Sequence, residues 1–320
     1  MLFSLEAADD SLAHALAAAL DVPIAPHEER RFVDGECKLR PLVDVRGADA
    51  CVLLGLHGGP LDSPHDKLWR LLAFVATLRD HGAARVTALV PYLAYARKDR
   101  RTKPHDPVGL RYVAQLFEAV GTDRLVVLEA HNVAALQNAF RLPTMHLDAH
   151  PAFDALALPL AARGPLAVAS PDPGGVKRAQ LWGEALQARI GAPVGFAMVD
   201  KRRSAGIVTS AGLVAGDVQD ATVLLYDDLI ASGETMRRAA LALRGAGAAS
   251  VIACAAHGLF VAPAAEVLRD DAIEQVWVSD SVPAFRIAQD DPLRAKLRVV
   301  SCAPLFAGAL GGRTDNAYTP

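Results

Sequence analysis

A chain of 320 residues, 52% hydrophobic and 22% charged with a net charge of -3, is long for one core and comfortable for two, and no overall charge draws it to nucleic acid or membrane. No apolar run reaches the roughly 18 residues of a membrane span, and MLFSLEAADDSL has early acids and no basic stretch before its apolar residues, so a cytoplasmic protein is expected. Cys37, Cys51, Cys254 and Cys302 are far apart and lack CxxC or Cys/His spacing, which points to reduced thiols rather than disulfides or zinc.

Strand-like apolar runs at 50–54, 85–90, 125–128, 166–169, 222–225 and 251–255 alternate with helix-length amphipathic segments, the pattern of an α/β chain with parallel sheets. The first run leads into GLHGGPLDSPHD, where His57 and His65 say little alone. Before the second run stands Leu78-Arg79-x-x-Gly82-Ala83-Ala84-x-Val86, which recurs as Leu243-Arg244-x-x-Gly247-Ala248-Ala249-x-Val251. Upstream of each copy, Asp49-Ala50-Cys51-Val52-Leu53-Leu54 is echoed by Asp220-Ala221-Thr222-Val223-Leu224-Leu225. Two related halves are therefore expected, 1–147 and 148–320, divided near Pro151, Pro159 and Gly164-Pro165.

Five basic residues in seven, from Arg97 to Lys103, follow the 85–90 run. A solvated loop is one reading; a polyphosphate grip is the other, because Arg forks match phosphate oxygens. No GxxxxGK[ST] occurs, so a P-loop is excluded. The 125–128 run closes on Glu129-Ala130-His131, an acid and an imidazole at a strand end. The next run leads into Ser170-Pro171-Asp172-Pro173-Gly174-Gly175, where glycines permit close approach of an anion and Asp172 offers a carboxylate to a metal or sugar hydroxyl. Asp200-Lys201-Arg202-Arg203 fits either a loop that closes on phosphates or a solvated turn.

VLLYDDLIASGET, 223–235, carries the most chemistry. An apolar strand ending at Tyr226 delivers Asp227 and Asp228, able to accept hydrogen bonds from vicinal ribose hydroxyls. Ser232, Gly233 and Thr235 then open a helix whose free N–H groups suit a phosphate. Met236, Ala239, Ala240 and Leu243 mark that helix's buried face, while Arg237, Arg238 and Arg244 fall off it. Glu234, in the first turn, has two readings: a stand-in for the phosphate, or a pair with Arg237 or Arg238.

RFVDGE (31–36), PYLAYARKDRR (91–101), EAHNVAALQNAF (129–140), SPDPGGVKRA (170–179), DKRR (200–203) and YDDLIASGET (226–235) together resemble the ribose-phosphate diphosphokinase family, in its order and spacing. The resemblance implies two type I phosphoribosyltransferase-like domains, the N-terminal one on the ATP side and the C-terminal one holding ribose 5-phosphate. It implies transfer of the diphosphoryl group of ATP to the 1-hydroxyl of ribose 5-phosphate with Mg²⁺, in a homo-oligomer. Carried over by residue, Phe32, Asp34 and Glu36 line the adenine pocket and Arg97 and Lys98 hold ATP phosphates. His131 and Asp172 contact the metal, and Asp172, Gly174 and Gly175 form the diphosphate loop. Lys201 and Arg203 are the catalytic pair of a closing loop, and Asp227, Asp228, Ser232, Gly233 and Thr235 bind ribose 5-phosphate. Ala231, Ser232 and Glu234 depart from the family's DDxIDTxGT pattern, and Glu129 stands where aspartate is usual. The rival activities are a phosphoribosyltransferase that consumes the product and a non-catalytic regulatory paralogue.

Overall fold

A computed structural model of the chain describes residues 1–7, 10–200, 203–204, 207–208 and 213–311. It divides into two compact units, Met1–Asp148 with the described residues 301–311, and Ala149–Val300. The sequence boundary after 147 gives everything beyond it to the second domain; residues 301–311 instead pack with the first. There the helix Ala303–Ala309 packs on the helix Ser11–Leu20 and buries Ala303, Phe306 and Ala307. Arg124 Nη2 donates to the Ala309 carbonyl at 3.3 Å, tying down the helix end.

The first unit contains β1 (Leu2–Ser4), β2 (His27–Arg31), β3 (Cys37–Pro41), β4 (Asp49–Leu53), β5 (Arg85–Val90), β6 (Arg124–Leu128) and β7 (Thr144–Leu147). β1, β4, β5, β6 and β7 form, in that order, one parallel sheet, while β2 and β3 make a separate antiparallel hairpin. β5 and β6, in the middle of the sheet, are nearly all buried, as strands covered on both faces are. In the helix Pro64–Asp80, Leu71, Phe74, Val75 and Leu78 are buried at helical spacing. A reciprocal cap between Ser63 and Asp66, with Pro64 at the first turn, starts that helix.

The repeat found in the sequence is realised in backbone hydrogen bonds. After each helix a glycine turns the chain left-handed, Gly82 at φ 84° and Gly247 at φ 96°. Ala83 N–H bonds Leu78 O at 3.0 Å, and Ala248 N–H bonds Leu243 O at 3.1 Å. Arg79 caps the carbonyls of Ala83 and Ala84 as Arg244 caps those of Ala248 and Ala249. The upstream match is offset by two residues from the sequence echo: Gly47 bonds Gly82 O as Asp220 bonds Gly247 O, at 2.8 and 2.9 Å. Counting on from that pair, Leu54 and Gly55 occupy the positions of Asp227 and Asp228. The first unit's strand end therefore lacks both carboxylates.

The second unit contains β8 (Leu166–Ser170), β9 (Gly195–Asp200), β10 (Arg203–Ser204), β11 (Ile207–Val208), β12 (Leu213–Ala215), β13 (Thr222–Ile230), β14 (Ser250–Gly258), β15 (Gln275–Ser279) and β16 (Leu297–Val300). Its seven-stranded sheet runs β12-β9-β8-β13-β14-β15-β16, with β12 alone antiparallel. From β8 the chain builds outward to β9, and from β13 it builds the other way. The order thus reverses between β8 and β13, the kind of switch point where open α/β sheets place ligands beyond their carboxyl ends.

Candidate active site

At that switch point β13 outruns its neighbour. β8 pairs with β13 only as far as Leu225 opposite Ala169, whereas β13 continues to Ile230 beside β14. The sequence ends the strand at Tyr226; in the structure Asp227 and Asp228 lie within it, because β14 supplies partners as far as Gly258. Behind them Tyr226 is fully buried, its ring 4.9 Å from Trp182 and 6.3 Å from Phe153 in edge-to-face contact. Trp182 Nε1 donates to Asp154 at 3.0 Å, and Arg189 binds the other Asp154 oxygen. This packing fixes the strand that presents the carboxylates.

The pair is held by Arg178, a residue of the SPDPGGVKRA segment whose role no local sequence pattern reveals. Its Nη1 lies 3.4 Å from Asp227 Oδ1 and 3.9 Å from Asp228 Oδ1. Asp227 Oδ1 also accepts the Asp228 N–H at 2.9 Å. Burial, then the charge of Asp228, push the Asp227 carboxyl well above the usual carboxylate range, and Arg178 pulls it down. The sequence signal for Arg178 is its place in the first turn of the helix Val176–Ile190, directly after the glycine pair.

Arg178 gives a pH-dependent prediction. A carboxyl with a raised value loses its charge as pH falls through that value, and with it the capacity to accept from two sugar hydroxyls. Ribose 5-phosphate affinity should therefore fall toward acid pH, and Arg178→Met should move the midpoint to higher pH by removing the cation that opposes protonation. Measuring the Michaelis constant for ribose 5-phosphate against pH in both proteins checks this; coincident midpoints would mean Arg178 does not act on Asp227.

After β8, Asp172 Oδ1 accepts the Gly174 N–H at 2.9 Å, an Asx-type turn, and Ser170 Oγ donates to the Asp172 carbonyl at 2.6 Å. Gly175 is required by close approach, since a Cβ there would meet Ser170 Oγ at 2.7 Å and lie 3.7 Å from Asp227 Oδ1. The structure thus brings Asp172, Gly174 and Gly175 to the strand end beside Asp227 and Asp228. Gly233 precedes the helix Glu234–Gly245 at φ 80°, and no side chain caps that helix start. Its first-turn N–H groups, flanked by Ser232 and Thr235, have the geometry for an anion. Of the two readings of Glu234, the structure shows the pair with Arg237, at 2.9 Å and half exposed. Such surface pairs contribute ~0–1 kcal/mol. Glu234→Gln should accordingly leave ribose 5-phosphate affinity within about two-fold of wild type; a tighter constant that weakens with salt would restore the phosphate stand-in.

In the first unit, Phe32, Asp34 and Glu36 occupy the exposed turn between β2 and β3. Phe32 N–H bonds Glu36 O at 2.8 Å, and Glu36 N–H bonds Asp34 Oδ1 at 3.2 Å. The hairpin is anchored by Arg70, which donates to Glu29 at 2.6 Å, to Asp62 at 2.9 Å and to the Leu5 carbonyl at 2.7 Å. Beyond β5, Arg97 is exposed, but Lys98 Nζ is engaged by Asp106 at 2.5 Å and Thr102 at 3.2 Å. Lys98, then Thr102, hold Asp106 well below the usual carboxylate range. Beyond β6, His131 is exposed and Asn132 donates to Asp99 at 2.6 Å, linking its segment to the basic loop. His131 and Asp172 fall in different units. Lys201 lies outside the described residues, and Arg203 is described only by its backbone pairing with Val208 in the β10–β11 ribbon.

A family model described as the N-terminal domain of ribose phosphate pyrophosphokinase matches residues 1–121, and one described as a phosphoribosyl transferase domain matches 155–288. A ribose-phosphate pyrophosphokinase of Caldanaerobacter subterraneus subsp. tengcongensis is 34% identical over 93% of this chain and 90% of its own length. Another, from Prochlorococcus marinus, is 36% identical over 94% of this chain and 86% of its own. The crystal structure of phosphoribosylpyrophosphate synthetase from Mycobacterium smegmatis superposes with a TM-score of 0.83 at 33% identity, covering 97% of each chain. With matches of this length spanning both α/β units, the chain belongs to the ribose-phosphate pyrophosphokinase family.

Proposed function

We propose that the chain is a ribose-phosphate diphosphokinase, transferring the diphosphoryl group of ATP to the 1-hydroxyl of ribose 5-phosphate to give 5-phosphoribosyl 1-diphosphate and AMP. The observation that carries this reading is the Asp227–Asp228–Arg178 cluster at the β8/β13 switch point, beside a helix start with no side-chain cap. Asp227 and Asp228 accept from the ribose hydroxyls, and the N–H groups after Gly233, with Ser232 and Thr235, hold the 5-phosphate. The Asp172–Gly175 loop receives the diphosphate. Arg97 and Lys98 hold ATP phosphates, Lys98 exchanging part of its hold on Asp106, and Phe32, Asp34 and Glu36 line the adenine pocket. Lys201 and Arg203 stabilise charge on the migrating group. Catalysis of this type is positioning and charge stabilisation, with little covalent work for the protein.

Mg²⁺ prefers oxygen ligands, so the Asp172 carboxylate, completed by phosphate oxygens, would hold it in the second unit, and His131 would be the metal contact on the ATP side in the first. Bound there, the ion would supply charge neutralisation to the polyphosphate. The exposure of Phe32 (40%) and of Val33 beside it supports a homo-oligomer in which a neighbouring subunit completes the adenine pocket. Activity per chain should then fall on dilution through the dissociation range seen by sedimentation; constant activity in the monomer would reject the shared pocket.

The function is tested by incubating the protein with ATP, Mg²⁺ and ribose 5-phosphate and following AMP. Formation of AMP that requires ribose 5-phosphate is expected. A phosphoribosyltransferase or a non-catalytic paralogue would give none.

A further inference from the structure

At one edge of the first unit's sheet, β6 and β7 run parallel with Leu128 opposite Leu147, and the Glu129 N–H donates to Leu147 O at 2.8 Å. Glu129 follows β6, His146 lies on β7 and Asp148 follows it, which brings one ligating atom of each within 4.8 Å of the others. Glu129 is 3% exposed and its backbone sits at φ 41°, a left-handed conformation that a glutamate adopts only when its surroundings hold it there. His146 Nε2 is buried without a hydrogen-bond partner, and Nδ1 stands 3.6 Å from Asp148 Oδ1. An imidazole with Nε2 buried and unpaired, Nδ1 beside Asp148, and a ligating atom within 4.8 Å of those of Glu129 and Asp148 is a poor arrangement for the protein alone and a good one for a cation.

We propose that Glu129, His146 and Asp148 form a divalent transition-metal site, with a ligand set distinct from His131 and Asp172. The two carboxylates balance the charge of the ion. The imidazole favours Zn²⁺, Co²⁺ or Mn²⁺ over Mg²⁺, which prefers oxygen ligands and sheds water reluctantly. Three protein ligands leave positions open to water. An ion here joins the ends of β6 and β7 two residues before His131, and so fixes the backbone that carries that histidine.

The test uses the full chain, without nucleotide and with saturating Mg²⁺ to fill oxygen-ligand sites, titrated with Zn²⁺ by calorimetry and with Co²⁺ by visible absorption. One tight Zn²⁺ per chain is expected, with a Co²⁺ absorption band that Zn²⁺ displaces. His146→Gln and Asp148→Asn should each weaken binding by more than the ~10–100-fold that loss of an outer-shell partner causes. His131→Ala, which alters the proposed Mg²⁺ position instead, should leave the Zn²⁺ stoichiometry unchanged. That control separates failure of this site from failure of the diphosphokinase reading. Unchanged Zn²⁺ affinity in His146→Gln and Asp148→Asn, each shown folded by thermal unfolding, would overturn the proposal. So would loss of Zn²⁺ in His131→Ala with retention in His146→Gln.

Discussion

Asp227→Asn and Asp228→Asn are each expected to weaken ribose 5-phosphate binding about 10- to 100-fold while the Michaelis constant for ATP stays near wild type. Each change removes a charged acceptor without changing side-chain volume, and hydrogen bonds to charged groups contribute ~1.5–3 kcal/mol. The fold should survive, because the strand is anchored from behind by Tyr226 against Trp182 and Phe153, not by the carboxylates. Arg178 keeps one carboxylate partner in either variant, at 3.4 or 3.9 Å, so no buried cation is stranded. Calorimetric titration with ribose 5-phosphate measures the effect; wild-type constants in both variants would remove the end of β13 from the site.

Lys201→Ala and Arg203→Ala are expected to lower kcat by about two to three powers of ten with a smaller change in the Michaelis constant for ATP, on analogy with other deleted electrostatic stabilisers. In the sequence Asp200-Lys201-Arg202-Arg203 follows directly on β9, and β9 pairs with β8, the strand that leads into the Asp172 loop. Cations that close on a migrating diphosphoryl group interact most strongly in the transition state, so their loss appears in turnover rather than in ground-state binding. Steady-state kinetics separates the two. If only the Michaelis constant for ATP rises, the pair binds substrate and does not stabilise the reacting group.

The strands buried on both faces were legible in the sequence. Continuous apolar runs located β5 to the residue and β6, β8, β13 and β14 at their starts within one residue, because such strands need no alternation. The hairpin β2–β3 was not legible as strands: HEERR is charged throughout, and its pairing depends on Arg70 reaching across from a helix that follows it by more than 30 residues. β1, with three residues, and β7, a half-buried edge strand, give too short or too weak a signal. The carboxylate pair and the glycines of the sugar-phosphate loop are local in sequence and were readable. Arg178 bridges residues 49 and 50 positions away, and the Glu129–His146–Asp148 cluster arises from strand pairing, so neither has a local pattern. The two-residue offset of the repeat was hidden because an aspartate precedes both apolar runs, and the hydrogen bonds of Gly47 and Asp220 show which residues correspond.

In a diphosphokinase the second phosphoryl of ATP moves together with the third. ATP labelled with ³²P at the β position, incubated with the protein, Mg²⁺ and ribose 5-phosphate, tests it directly. The label is predicted to leave the nucleotide and appear in 5-phosphoribosyl 1-diphosphate, with unlabelled AMP formed in equal amount. Label retained in ADP would mean transfer of the γ-phosphoryl group alone, and label remaining in ATP would mean no transfer at all; either result contradicts the account.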